Sequence, residues 1–154
     1  MEPVELAVDR FRQGYSCAQS VFSVLAEMRG VDRDLAFRIS AGFGGGVART
    51  AGICGCVTGA IMALGIDQRD VSPALNKSEK EKTYETAQRF LREFGQNHGS
   101  TTCRDLLGCD ISTAEGLQQA RDQKLFQLNC EKLVRDAVDL VMKLSPAGPV
   151  QPAS

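Results

Sequence analysis

Tryptophan is absent and histidine occurs once, at His98. A single imidazole nearly excludes sites that need several histidines. Charge of one sign is lacking too: 18 lysines and arginines against 19 aspartates and glutamates leave a formal net charge of -1. The chain therefore has no electrostatic footprint for nucleic acid or an anionic membrane. No apolar run approaches the ~18 to 20 residues that a bilayer-spanning helix requires. The start, Met1-Glu2-Pro3-Val4-Glu5, has no basic stretch followed by an apolar one, as an export signal would. These absences lead to the expectation of a soluble protein that stays in the cytoplasm. Alternating apolar and polar residues, the mark of strands, are almost missing.

What is present suits one helical domain. A chain of 154 residues, 43% hydrophobic, has enough apolar material for one core. Apolar residues recur at helical spacing in Val4, Val8 and Phe11, then in Val21, Phe22, Leu25 and Met28. A capping box at Ser78-Glu79-Lys80-Glu81 predicts a helix with Tyr84, Ala87, Phe90, Leu91 and Phe94 on one face and its stop at Gly95. Leu133, Val134, Ala137, Val138, Val141 and Leu144 form another stripe. Gly65 to Asn76 reads as a loop. The spacing predicts an all-α fold: six or seven helices in a single compact domain over 1–144, followed by a flexible tail over 145–154.

Fifteen glycines and six cysteines are the compositional oddities. The glycines cluster between Gly42 and Gly65. Gly42-Phe43-Gly44-Gly45-Gly46-Val47 fails as a dinucleotide-binding fingerprint, because Val47 stands where GxGxxG needs glycine and no strand precedes it. It also lacks the Gly-Lys-Ser/Thr ending of a P-loop. These glycines are better explained by positive φ and close approach of backbone to a neighbour. In a reducing cytoplasm the cysteines stay reduced, so metal binding or redox chemistry is a better reading than a disulfide framework.

Three cysteines directly follow a good N-cap residue: Ser16 before Cys17, Thr102 before Cys103, Asn129 before Cys130. Gln19 and Asp105 complete the first two caps, and Cys54 opens the apolar run Val57, Ala60, Ile61, Leu64. Helix starts offer free amide donors and a positive dipole end, which favour the thiolate. Cys17 and Cys130 also share the inward stripe of their helices. Four thiolates delivered into one interior site would repel each other unless a cation neutralised them. The plain alternative is that cysteine packs well as a small buried hydrophobe. No CxxC pair of the zinc-ribbon or ferredoxin kind is present, nor a CxxCH haem site. His98, between Asn97 and Gly99, reads as a solvated turn residue rather than a ligand.

The ordered set Gly14-Tyr15-Ser16-Cys17-Ala18-Gln19, Gly42-Phe43-Gly44-Gly45-Gly46, Cys54-Gly55-Cys56-Val57-Thr58-Gly59-Ala60, Cys103-Arg104-Asp105-Leu106-Leu107-Gly108-Cys109-Asp110 and Cys130 resembles the C_GCAxxG_C_C family. The resemblance covers about Val8 to Leu144. It implies a helical fold and a redox role without a settled reaction, and it maps the family's four defining cysteines onto Cys17, Cys54, Cys103 and Cys130. A related segment of split-Soret cytochromes c is associated with an iron-sulfur centre, so the resemblance points towards a cluster. One departure is Cys56, where the family has alanine. Cys56 is a spectator, an alternative ligand, or a disulfide partner of Cys54; Cys109 reads as a spectator or a participant.

The first functional expectation is thus an iron-sulfur cluster, most simply [2Fe-2S], on Cys17, Cys54, Cys103 and Cys130, for electron transfer or redox sensing with a redox partner protein. Gly44, Gly45, Gly46 and Gly55 would let backbone amides approach the cluster, with Arg49 and Arg104 offsetting its charge. The chain could also pair as a homodimer. The rivals are a thiol-disulfide protein using Cys54 and Cys56, and a zinc-holding structural module. Asp105, Asp110 and Glu115 read as cap and loop residues, so no catalytic residue is assigned.

Overall fold

The computed structural model describes residues 1–73 and 77–146. Among them are eight α-helices: α1 (Pro3–Arg12), α2 (Cys17–Glu27), α3 (Arg33–Ser40), α4 (Gly55–Ile66), α5 (Lys77–His98), α6 (Cys103–Leu107), α7 (Ala114–Asp122) and α8 (Glu131–Leu144). A 3-10 turn, Ala41–Phe43, follows α3, and a π turn, Phe126–Cys130, leads into α8. No strand occurs among these residues, only an isolated bridge between Ile53 and Thr102. No described helix is long and apolar enough to cross a membrane. The all-α expectation is met, with one more helix than the six or seven expected.

Local chemistry explains the helix starts. Pro3 opens α1, where its missing N–H costs nothing. Ser16 and Gln19 form a reciprocal capping box on α2, each backbone N–H donating to the other's side chain at 3.2 Å. Asp32 caps α3 and Thr113 caps α7. Helix α5 differs from expectation at both described ends. It already includes Lys77, so Ser78 lies inside the first turn, and it continues through Gly95 to His98 before Gly99 turns left-handed at φ 83°. Gly65 belongs to α4 rather than to the following loop; Ala74 to Asn76 of that expected loop lie outside the described residues.

Helix α2 is the centre of the core. Ala18, Val21, Phe22, Val24, Leu25 and Ala26 are all buried. α4 presses against it through Gly55 and Gly59, one turn apart. A Cβ at Gly55 would stand 2.8 Å from the Ala18 nitrogen, and one at Gly59 3.0 Å from the Ala18 oxygen. α8 contributes Leu133, Val134, Ala137, Val138 and Val141, each removed from water and stabilising by roughly 1.5–3 kcal/mol for the larger side chains. A smaller apolar cluster of Ala51, Leu107, Ile111, Ala120 and Cys130 adjoins this core, and Phe11 and Cys17 pack against both.

Two buried arginines tie the helices together. Arg29 is 2% exposed, pairs with Asp67 at 2.7 Å, and donates to the carbonyls of Leu25 and Ser145, each at 3.1 Å. Ser145 also donates its hydroxyl to Asp67 at 2.6 Å. Ser145, the first residue of the tail expected over 145–154, is hydrogen-bonded to Arg29, Asp67 and the Val141 carbonyl. Residues 147–154 lie outside the described residues. Arg10 donates to Ser23 at 2.7 Å, pairs with Glu27 and lies over the Phe37 ring, which stacks on Tyr15.

His98 is not the solvated turn residue that its Asn-His-Gly context suggests. Its side chain is only 4% exposed, lies 4.6 Å from the Phe94 ring, and approaches Asp136 at 3.0 Å. Burial lowers its pKa below 6.5, with Lys132 adding to the fall and Asp136 opposing it. Folding thus favours the neutral ring, and the unfolded chain takes up the proton first as pH drops. Stability is fully present above pH 6.5 and falls as pH descends through the folded value. The melting temperature followed from pH 7.5 to 5 should fall for the native chain and fall less for His98→Gln; equal slopes would refute this account.

Candidate metal centre

All six cysteines are free thiols. Cys17 is the first residue of α2, Cys54 the N-cap of α4, and Cys103 the first residue of α6. The fourth expectation is corrected. Cys130 closes the π turn and runs into α8 with helical dihedrals on both sides, so it does not begin a helix. Asn129 cannot cap there because the chain is already helical; its amide reaches back to the Leu107 carbonyl at 3.4 Å. A π turn adds a residue to the helical ladder and reorients the side chains after it, a device frequent at functional sites.

These four cysteines line one cavity of about 730 Å³, together with Gly44, Gly45, Gly46 and Gly55. Neither Cys56 nor Cys109 lines it. Cys56 is fully buried in the first turn of α4, and Cys109 points its sulfur at the Gly116 carbonyl, 3.5 Å away. Of the two arginines expected to offset charge, Arg49 lines the cavity. Arg104 does not; it pairs with Asp110 at 3.1 Å. Arg12 and Arg121 line the cavity instead, and sequence reasoning missed both. Arg12 is held by Glu131 through two hydrogen bonds of 2.6 and 3.1 Å. Only the fold brings the ends of α1 and α7 to the cysteines, so no local motif could have revealed them.

The glycine-rich segment forms a left-handed turn along the cavity wall. Gly45, Gly46, Val47, Ala48 and Arg49 have φ between 50° and 72°, and Ala51 follows at 59°. Each non-glycine residue there costs roughly 1–2 kcal/mol. Hydrogen bonds from Arg49 N to Gly44 O (2.9 Å), Ala51 N to Gly45 O (3.0 Å) and Gly52 N to Gly46 O (2.8 Å) hold the turn. The backbone around it then clamps two cysteines: Cys103 N donates to Gly52 O at 2.6 Å, and Cys54 N to Thr101 O at 2.8 Å. Strain concentrated at one wall of one cavity is the pattern of a preorganised site.

The sulfurs share little negative charge. Cys17 is held well below the usual thiol range, chiefly by hydrogen bonding from the Cys130 thiol, then from Cys56, with its own backbone N–H adding and burial opposing. Burial, then Cys17 and Cys54, raise Cys56 well above that range. Cys103 is pushed up to about 12 by burial and by the charge of Cys54 and Cys17. Cys130 is raised by its bond to Cys17 and by burial. At Cys17 the neighbouring sulfurs favour the thiolate and the helix-start N–H adds least, whereas at Cys103 desolvation and neighbouring sulfur outweigh the weak dipole of a five-residue helix.

The family described as "Putative redox-active protein (C_GCAxxG_C_C)" matches residues 15–144, which hold all six cysteines and the glycine-rich turn. The chain belongs to this family. No curated protein and no solved structure matches the chain. In this member of the C_GCAxxG_C_C family Cys17, Cys54, Cys103 and Cys130 share one cavity, and Cys56 is fully buried outside its lining. No three or more of the described His, Cys, Asp or Glu side chains stand in position to hold a single metal ion.

Proposed function

We propose that Cys17, Cys54, Cys103 and Cys130 hold an iron-sulfur cluster, [2Fe-2S] in the simplest case, and that the protein transfers or senses electrons with a redox partner protein. The observation that carries this reading is the convergence of four cysteines from four separate elements on one cavity that excludes the other two. The donor set fits: thiolates are the ligands of such clusters, and apart from Glu131, already engaged by Arg12, no carboxylate lines the cavity. When bound, such a cluster supplies one-electron chemistry. The chain would supply four anionic ligands, whose mutual repulsion the cationic core relieves, and guanidinium charge from Arg49 and Arg121 in the lining of the same cavity.

The thiol-disulfide reading of Cys54 and Cys56 gains no support. Cys56 is fully buried and Cys54 only 4% exposed, so neither sulfur is open to an approaching disulfide. Anaerobic reconstitution with iron and sulfide should give a brown protein with both in near-equal amount and no zinc. A colourless product after reconstitution would overturn the cluster reading.

A further inference from the structure

The cavity is larger than the four cysteines explain. Beyond their sulfurs it is lined by the left-handed turn, the end of α7 and the π turn, which bring Arg49, Arg121, Leu117 and Phe126. A volume of about 730 Å³ falls within the range of organic-ligand pockets, about 300–1,000 Å³.

The charge around this cavity is unbalanced. Of the three arginines that line it, Arg12 is neutralised by Glu131. Arg49 and Arg121 have no ion-pair or side-chain hydrogen-bond partner among the described residues, although most other arginines in the fold find one. Arg49 is exposed and carried on the left-handed turn, at φ 59°. Two unpaired guanidiniums line the same cavity as Phe11, Leu117 and Phe126, so its lining is both cationic and apolar.

We propose that the cavity binds a small organic carboxylate with an apolar body, its carboxylate held by Arg49 and Arg121 and its hydrocarbon part against Leu117 and Phe126. Guanidinium is suited to this task because its planar fork matches a carboxylate in bidentate fashion. The cysteines lie in the same cavity, so a bound acid would sit beside the redox centre. The inference goes beyond the cluster reading and does not need it, because the guanidiniums and the apolar wall exist without any metal.

Benzoate is the probe, with benzyl alcohol as the uncharged analogue of the same shape. Titration of the full chain, as purified and after reconstitution, is followed by calorimetry and by backbone amide shifts. Benzoate should move the amides of Gly44 to Arg49 and of Phe126 and Gln127, and benzyl alcohol should bind at least about tenfold more weakly. Arg49→Gln and Arg121→Gln should each weaken benzoate by about tenfold or more, whereas Arg104→Gln, whose arginine lies outside the cavity, should leave it unchanged. Thermal melts identify any variant that fails to fold, and these exposed substitutions should not. Equal binding of the alcohol, shifts away from the cavity, or equal loss with Arg104→Gln would each overturn the proposal. Because the as-purified chain is titrated too, failure to take up a cluster and failure to bind benzoate are separate results.

Discussion

Serine at Cys17, Cys54, Cys103 or Cys130, one at a time, should reduce the iron and sulfide retained after anaerobic reconstitution to background. Serine is nearly the same shape as cysteine, so each variant keeps its packing while losing the soft thiolate that the centre requires. Two controls give the result its meaning. Cys109→Ser changes a sulfur that faces the Gly116 carbonyl rather than the cavity, and should retain full iron and sulfide. Cys56→Ala removes a buried sulfur outside the cavity lining, with a packing cost of about 1 kcal/mol, and should also load. Loss of the centre in Cys56→Ala together with its retention in Cys103→Ser would show that the ligand set is different. Absorption spectra and metal analysis on the same samples decide the matter, and far-ultraviolet circular dichroism confirms that each variant is folded.

The physical basis for this series is electrostatic as much as geometric. Without a cation, the site supports a thiolate at Cys17 and keeps Cys103 and Cys130 protonated, because each further charge would be buried beside the first. A cationic inorganic core reverses that balance by making deprotonation of all four favourable.

Much of the fold is legible in the sequence where local chemistry dominates. The Ser16-Gln19 capping box is complete in the structure, and the apolar stripe of Leu133 to Val141 is buried as its spacing requires. Local signals mislead where tertiary context wins. Gly95 reads as a stop, yet packing of Phe90 and Phe94 carries α5 on to His98. Asn129 reads as a cap, but the helix begins before it through a π turn, which no residue pattern marks. The cysteine set is legible because its members recur beside caps and glycines. Arg121 is not, because its place at the cavity depends on how α7 docks rather than on its neighbours in sequence.

Alanine at Gly46 should be the most damaging single methyl group in the glycine-rich turn. A Cβ there would meet the Gly52 nitrogen at 2.5 Å and the Cys103 Cβ at 2.7 Å, on a backbone with φ of 72°. Left-handed strain of roughly 1–2 kcal/mol and overpacking of roughly 1–3 kcal/mol give a destabilisation of about 2–5 kcal/mol. For a chain of this size that is a fall in melting temperature of about 5–15 °C. The nearest obstacle is backbone, so the turn must give way, and Cys103 moves with it because its N–H is bonded to Gly52 O. Gly46→Ala should therefore lose cluster uptake even at temperatures where it remains folded. Gly42→Ala, with nothing within 4 Å and no positive φ, should change stability by less than about 0.5 kcal/mol and leave uptake intact. If Gly46→Ala is destabilised yet loads normally, the turn serves the fold alone; if it loses uptake while folded, the strain held between Gly45 and Ala51 is what keeps Cys103 at the cavity.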